Sequence, residues 1–82
     1  MATAQSIEHS IAAGLDCEHL QVAGDGHHWE ALIVSRAFDG LSKVRQHQLV
    51  YTALGDRMRE EIHALSMTTL TPAQWAALQQ KD

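Results

Sequence analysis

Ile7, Ile11 and Leu15 recur four apart, which lines one face of a helix running from about Thr3 to Ala13, with Gly14 close to its end. The period then changes. Leu20 and Val22 alternate with Gln21 and Ala23, the two-residue repeat of a strand. Gly24–Asp25–Gly26 follows and supplies residues that tolerate positive φ, as a hairpin connection requires. His28 to Ser35 reads as a second strand. Its end, Leu32–Ile33–Val34, is apolar on both faces and so belongs inside a sheet.

Asp39–Gly40 marks a turn, and Leu41 to Leu54 returns to helical spacing. Val44 and Tyr51 fall on one side of that helix, with Val50 and Leu54 close by. Gly55–Asp56 breaks or re-caps it before Met58. Ile62 to Thr69 alternates again and predicts a third strand. Thr71–Pro72–Ala73–Gln74 is a capping box with proline at the first helical position, opening a last short helix that places Trp75 and Leu78 on the sheet. The element order is α-β-β-α-(α)-β-α. With so few strands, the economical fold is α+β: one three-stranded sheet with helices covering one face.

Eighty-two residues make one domain, 1–82. The 45% hydrophobic and 20% charged content suits a globular fold with one modest core and little room for a deep catalytic cavity. No apolar run approaches the roughly 20 residues of a membrane helix, and Met1 to Glu8 lacks the pattern of a signal peptide. The expectation is a soluble, unprocessed cytoplasmic protein, monomeric alone or weakly dimeric. Cys17 is the single cysteine, so neither an internal disulfide nor a thiolate cluster can form.

The net charge of −4 repels a phosphate backbone, which disfavours nonspecific DNA binding without excluding a local patch. Arg36, Lys43 and Arg45 cluster around the turn before the long helix, and Arg57 and Arg59 lie further on. Interspersed Asp39, Asp56, Glu60 and Glu61 favour a solvated face over a nucleic-acid interface. No Gly-x-x-Gly loop of the KH type precedes the long helix. Nucleophile elbow, P-loop, paired-histidine zinc helix and dinucleotide fingerprint are all missing from the sequence, so an enzyme is not expected. Asp25 and Asp39 stand where turns favour aspartate. The compositional excess is six histidines. His9 and His19 read as solvated and His47 as a partly exposed helix residue. Trp29, Tyr51 and Trp75 read as packing residues with a polar tip at solvent or backbone.

Phe38–Asp39–Gly40 followed by Val44–Arg45–Gln46–His47–Gln48–Leu49–Val50–Tyr51 resembles the signature of the BolA-like family. Ile62–His63–Ala64–Leu65–Ser66–Met67 and Leu70–Thr71–Pro72–Ala73–Gln74–Trp75 match its C-terminal half. With Gly24–Asp25–Gly26–His27–His28–Trp29, the resemblance covers about residues 6–76. It implies a fold similar to the class II KH topology. It also implies a non-enzymatic adaptor that binds a monothiol glutaredoxin and shares a bridging 2Fe–2S cluster, with a cysteine and a glutathione thiolate coming from the partner side. The ligands it implies here are His63 and His28, with His27 as the alternative, because a one-residue shift in the loop exchanges them. Cys17 lies before the first strand and does not match the cysteine-type members. Gln46–His47 stands where many relatives have Arg-His, and the Gly-Asp-Gly loop is closer to the acid-stress branch. That departure weakens any transfer of DNA-binding residues, although a DNA-binding transcriptional regulator is the other function the resemblance implies.

Neutral imidazole is a competent iron ligand, and two histidines on one iron raise the potential of a 2Fe–2S centre. Ligation needs unprotonated nitrogens, so it weakens as pH falls toward the free-histidine pKa of about 6.5. A zinc site is not expected, since one chain offers too few ligands for a closed tetrahedron.

Overall fold

A computed structural model describes residues 2–57, 62 and 64–80. Helix α1 (Ala4–Gly14) begins on a reciprocal cap: the Thr3 hydroxyl accepts from the Ser6 amide, and the Ser6 hydroxyl accepts from the Thr3 amide. Ile7 and Ile11 are buried in it, and Leu15 is buried just past its end. Strands β1 (His19–Gly24) and β2 (Trp29–Val34) form the expected antiparallel hairpin, pairing His19 with Val34 and Gly24 with Trp29. A short 3-10 turn, Arg36–Phe38, not foreseen from the sequence, drives Phe38 into the core. Helix α2 (Lys43–Leu54) starts two residues later than its periodicity suggested, because the Ser42 hydroxyl caps the Arg45 amide. Strand β3 (Leu65–Leu70) runs parallel to β2, and helix α3 (Pro72–Gln79) opens on the expected Thr71/Gln74 box. Strand order is β1-β2-β3, so the doubly apolar β2 is central, as its sequence required.

Ile62 was expected to begin the third strand; it is buried but lies before β3. Met58 to Glu61 lie outside the described residues, and with them the continuation expected beyond Gly55–Asp56. His63 also lies outside them.

Alternation fixes what each sheet face meets. Val22, Trp29, Ala31, Ile33 and, less deeply, Met67 turn inward to the core made with Ile7, Ile11, Val50 and Leu54 of α1 and α2. His19, Gln21, Glu30, Leu32, Ser66 and Thr68 point the other way. The helices do not all share one face. Trp75 of α3 stacks on His19, with ring centroids 4.7 Å apart, and fully buried Val34, paired with His19, lies on that same side, apart from the main core. Helix α3 therefore covers one end of the second face, because Pro72 starts it right after β3.

Two further expectations are corrected. Val44 (67% exposed) and Tyr51 (42%) lie on the solvent side of α2, so Tyr51 is no core residue. The buried stripe is Gln46, Val50 and Leu54, four apart, about half a helical turn away from Val44. Leu78 is 54% exposed and does not reach the sheet; at 3.6 residues per turn it lies about 60° from Trp75.

Buried Gln46 is balanced by hydrogen bonds. Its amide donates to the carbonyls of Leu41 (3.0 Å) and Phe38 (3.3 Å), and its oxygen accepts from the buried Thr69 hydroxyl (2.7 Å). This network ties the N-terminal half of α2 to β3.

Candidate functional site

The β1–β2 hairpin presents His27 and His28. Asp25 shapes the loop: its Oδ1 accepts from the amides of both His27 and His28, each at 2.8 Å. These bonds, first that from His28 and then that from His27, hold the Asp25 carboxyl below its ordinary pKa, helped by the nearby His28 ring. Positive φ was expected of the Gly24–Asp25–Gly26 turn, and Gly26 has it, at 97°. Gly24 does a different job. A Cβ there would lie 2.4 Å from the His28 carbonyl oxygen and 2.5 Å from the Trp29 ring, so the absent side chain lets the indole pack directly against the hairpin backbone.

Trp29 is 4% exposed, and its indole N–H is the one buried side-chain polar atom without a partner among the described residues. Its burial anchors the strand directly behind His28. Both imidazoles are exposed and take part in no hydrogen bond, which leaves their ring nitrogens open. The Trp29 amide donates to the Ala64 carbonyl at 3.1 Å. The residues that follow His28 and His63 in the chain are thus bonded to each other. Ala64 has φ 49°, a left-handed conformation uncommon for a residue with a side chain, at the entry to β3. The position of the His63 ring is outside the described residues. Among those residues no group of three or more metal-ligating side chains converges.

Cys17 sits at the opposite end of β1, about 20 Å of strand from the loop. It is half-buried, its thiol donates to the Leu15 carbonyl at 3.4 Å, and burial, then the Asp16 charge, push its pKa up. It is neither near the hairpin histidines nor poised as a thiolate. His19 is at that same far end under Trp75, and His47 is half-buried on α2.

The basic residues do not form one free patch. Lys43 donates to the Thr69 carbonyl. Arg36 pairs with Glu18 at 3.2 Å. Arg57 bonds α1 through the Ser6 carbonyl (2.8 Å) and the Ser6 (2.9 Å) and Ser10 (2.6 Å) hydroxyls. Arg45 is exposed beside a shallow groove with Leu41, Gln48, Leu49 and Thr52. The internal role of Lys43 was not legible in the sequence, where Thr69 is 26 residues away; nor was that of Gln46, whose polar side chain disguised a core position. No described helix is long and apolar enough to cross a membrane.

Comparison with known proteins places this geometry in a family. The family profile described as BolA-like protein matches residues 3–74. The acid stress protein IbaG of Escherichia coli is 37% identical over 71 residues, covering 85% of this chain and 84% of that protein. The DNA-binding transcriptional regulator BolA of Haemophilus influenzae is 30% identical over 87 aligned positions, covering 94% and 84%. The solved structure of a bolA protein homologue from Coxiella burnetii superposes with a TM-score of 0.83 at 40% identity, over 93% of this chain and 99% of that one. The chain is a member of the BolA-like protein family.

Proposed function

We propose that this protein is an adaptor that binds a monothiol glutaredoxin and shares a 2Fe–2S cluster with it, offering His63 and one hairpin histidine, His28 or its neighbour His27. The observation that supports this reading most directly is the bond from the Trp29 amide to the Ala64 carbonyl, which joins the chain immediately after each of the two candidate positions. The donor set fits the group in kind. The hairpin imidazoles are exposed and unbonded, and neutral nitrogen is a proper iron ligand. Bound there, the cluster would supply one-electron redox chemistry or be passed on as cargo. The chain's own part is to hold the loop rigid through Asp25 and Trp29 and to keep the imidazoles facing outward. Adjacent loop residues project differently, so one of the pair serves the site.

The test is titration of a glutathione-bound, cluster-loaded monothiol glutaredoxin, followed by visible absorption and circular dichroism. Wild-type protein should change the spectrum. His63→Ala should abolish the change, and so should one of His28→Ala and His27→Ala. A wild-type response surviving in all three variants refutes histidine ligation.

The name of the Haemophilus influenzae relative supports a second reading, DNA binding. The internal engagement of Lys43 and the pairing of Arg36 weigh against it. Sequence-discriminating binding at physiological salt, lost on Arg45→Ala, would establish it in place of the adaptor reading.

A further inference from the structure

The sheet has two edges, and the fold treats them differently. At β1, the outward-facing amide of Val22 donates to the Glu8 carboxylate at 3.0 Å, so helix α1 closes that edge with a charged side chain. At β3, the bonds Trp29 N–H to Ala64 C=O and Ser35 N–H to Leu70 C=O fix which groups face β2. By alternation the backbone groups of Leu65, Met67 and Thr69 face away from it. Lys43 occupies the Thr69 carbonyl, and no other bond reaches these groups. The strand Leu65–Ser66–Met67–Thr68–Thr69–Leu70 carries no charge, proline or glycine, the usual devices that keep an edge from pairing.

We propose that β3 is a self-pairing edge, and that two copies of this chain associate by antiparallel β3–β3 contact about Met67, joining two three-stranded sheets into one of six. The strand is complementary to itself. With Met67 opposite Met67 of the second copy, Ser66 meets Thr68 on either side of it, while buried Thr69, covered by Lys43 and Gln46, stays outside the pairing. No like charges face each other, the Ser66 and Thr68 hydroxyls pair on the outer face, and the two half-buried Met67 side chains meet on the inner one. The free amide and carbonyl of Met67 then bond their counterparts directly. A peptide from another protein could use the same backbone groups, but the uncharged strand offers it no charge to select it, whereas the two-fold pairing uses every exposed side chain twice. Lys43 guards only the Thr69 end, and the net charge of −4 opposes approach at long range, so association is weak and strengthens with salt.

Sedimentation equilibrium of the full chain from about 10 µM to 1 mM tests this, at low and at raised salt. The expected result is a concentration-dependent shift toward twice the mass of one chain, larger at high salt. Thr68→Lys places an exposed charge in the pairing and should weaken association about tenfold or more while leaving the circular dichroism spectrum unchanged; Ser66→Lys, also exposed, serves if that variant fails to fold. The register is read separately. In a Cys17→Ser background, Met67→Cys should oxidise to a symmetric disulfide, because directly opposed residues stand within bridging distance. A wild-type chain that stays monomeric at the highest concentration overturns the proposal. So does undiminished association in both lysine variants, or β3 paired with an extended segment of another protein while the chain alone remains monomeric. Because no glutaredoxin or iron is present, the outcome is independent of the adaptor reading.

Discussion

Replacing Gln46 by methionine keeps the side-chain volume and helix propensity nearly constant while deleting the one polar group buried on the inner face of α2. The cost can be built bond by bond. Gln46 is 3% exposed, and it loses three hydrogen bonds. The Phe38 carbonyl keeps the Leu41 amide as a partner, so that loss is small. The Leu41 carbonyl lies at a half-buried residue and regains water in part. The Thr69 hydroxyl, at 1% exposure, is left with no acceptor, which costs about 1–3 kcal/mol on its own. The sum is about 2–4 kcal/mol. A chain of 82 residues has a total stability of about 4–12 kcal/mol, so the loss is a large share of it. With a urea slope of about 1 kcal/mol per molar, the unfolding midpoint should fall by about 2–4 M. Thr69→Val alone strands only the Gln46 oxygen and should cost about 1–2 kcal/mol. The double variant removes both partners, so it should be more stable than the two losses added together would allow, by at least about 1 kcal/mol. Urea titrations of the four proteins, followed by circular dichroism, measure the cycle. A Gln46→Met midpoint within about 0.5 M of wild type, or strict additivity, would refute the view that this network joins α2 to β3.

Three other outcomes follow from the hairpin and the far face. Gly24→Ala should destabilise by about 1–3 kcal/mol in urea unfolding, since its Cβ meets a carbonyl and a packed indole; equal stability would show that the ring does not need the contact. The Asp25 carboxyl, followed by carbon chemical shift, should titrate below its usual value of 3.8 in the folded protein. Its folded pKa is depressed, so the stability it contributes is present above the unfolded pKa and is lost as pH falls through the folded one; a midpoint at or above the usual value contradicts the two loop hydrogen bonds. Trp75→Ala should remove the stack on His19, lowering stability by about 1–2 kcal/mol in the same assay; no change would mean that α3 does not hold the second face.

Local chemistry made much of the fold readable. Thr71 and Pro72 announce a helix start because a capping oxygen must lie within three residues of the amide it accepts from. The two-residue alternation of β1 and the doubly apolar end of β2 reveal strand position because facing is set by sequence parity. The face of α2 was harder. Val44 and Tyr51 are apolar and one heptad apart, so they imitate a core stripe, while buried Gln46 resembles a surface residue. Nothing in the sequence near Gln46 shows that Thr69 will meet it 23 residues later. The site divides in the same way. Asp25, Gly26 and the adjacent histidines are visible as a turn with ligand-type residues, and resemblance to the family singles out His63 and His28.

The sequence by itself determined the main helices and strands, their order, the Thr71 cap and the hairpin, because each depends on residues within a few positions of one another. Only the tertiary structure decided that Gln46 is interior, that α3 crosses to the second face, that Lys43 closes one end of the β3 edge, and that Ala64 bonds to Trp29. Each of those joins groups far apart along the chain. A polar side chain or a backbone carbonyl carries no mark of its eventual partner; the partner is set by how helices and strands close around the shared core.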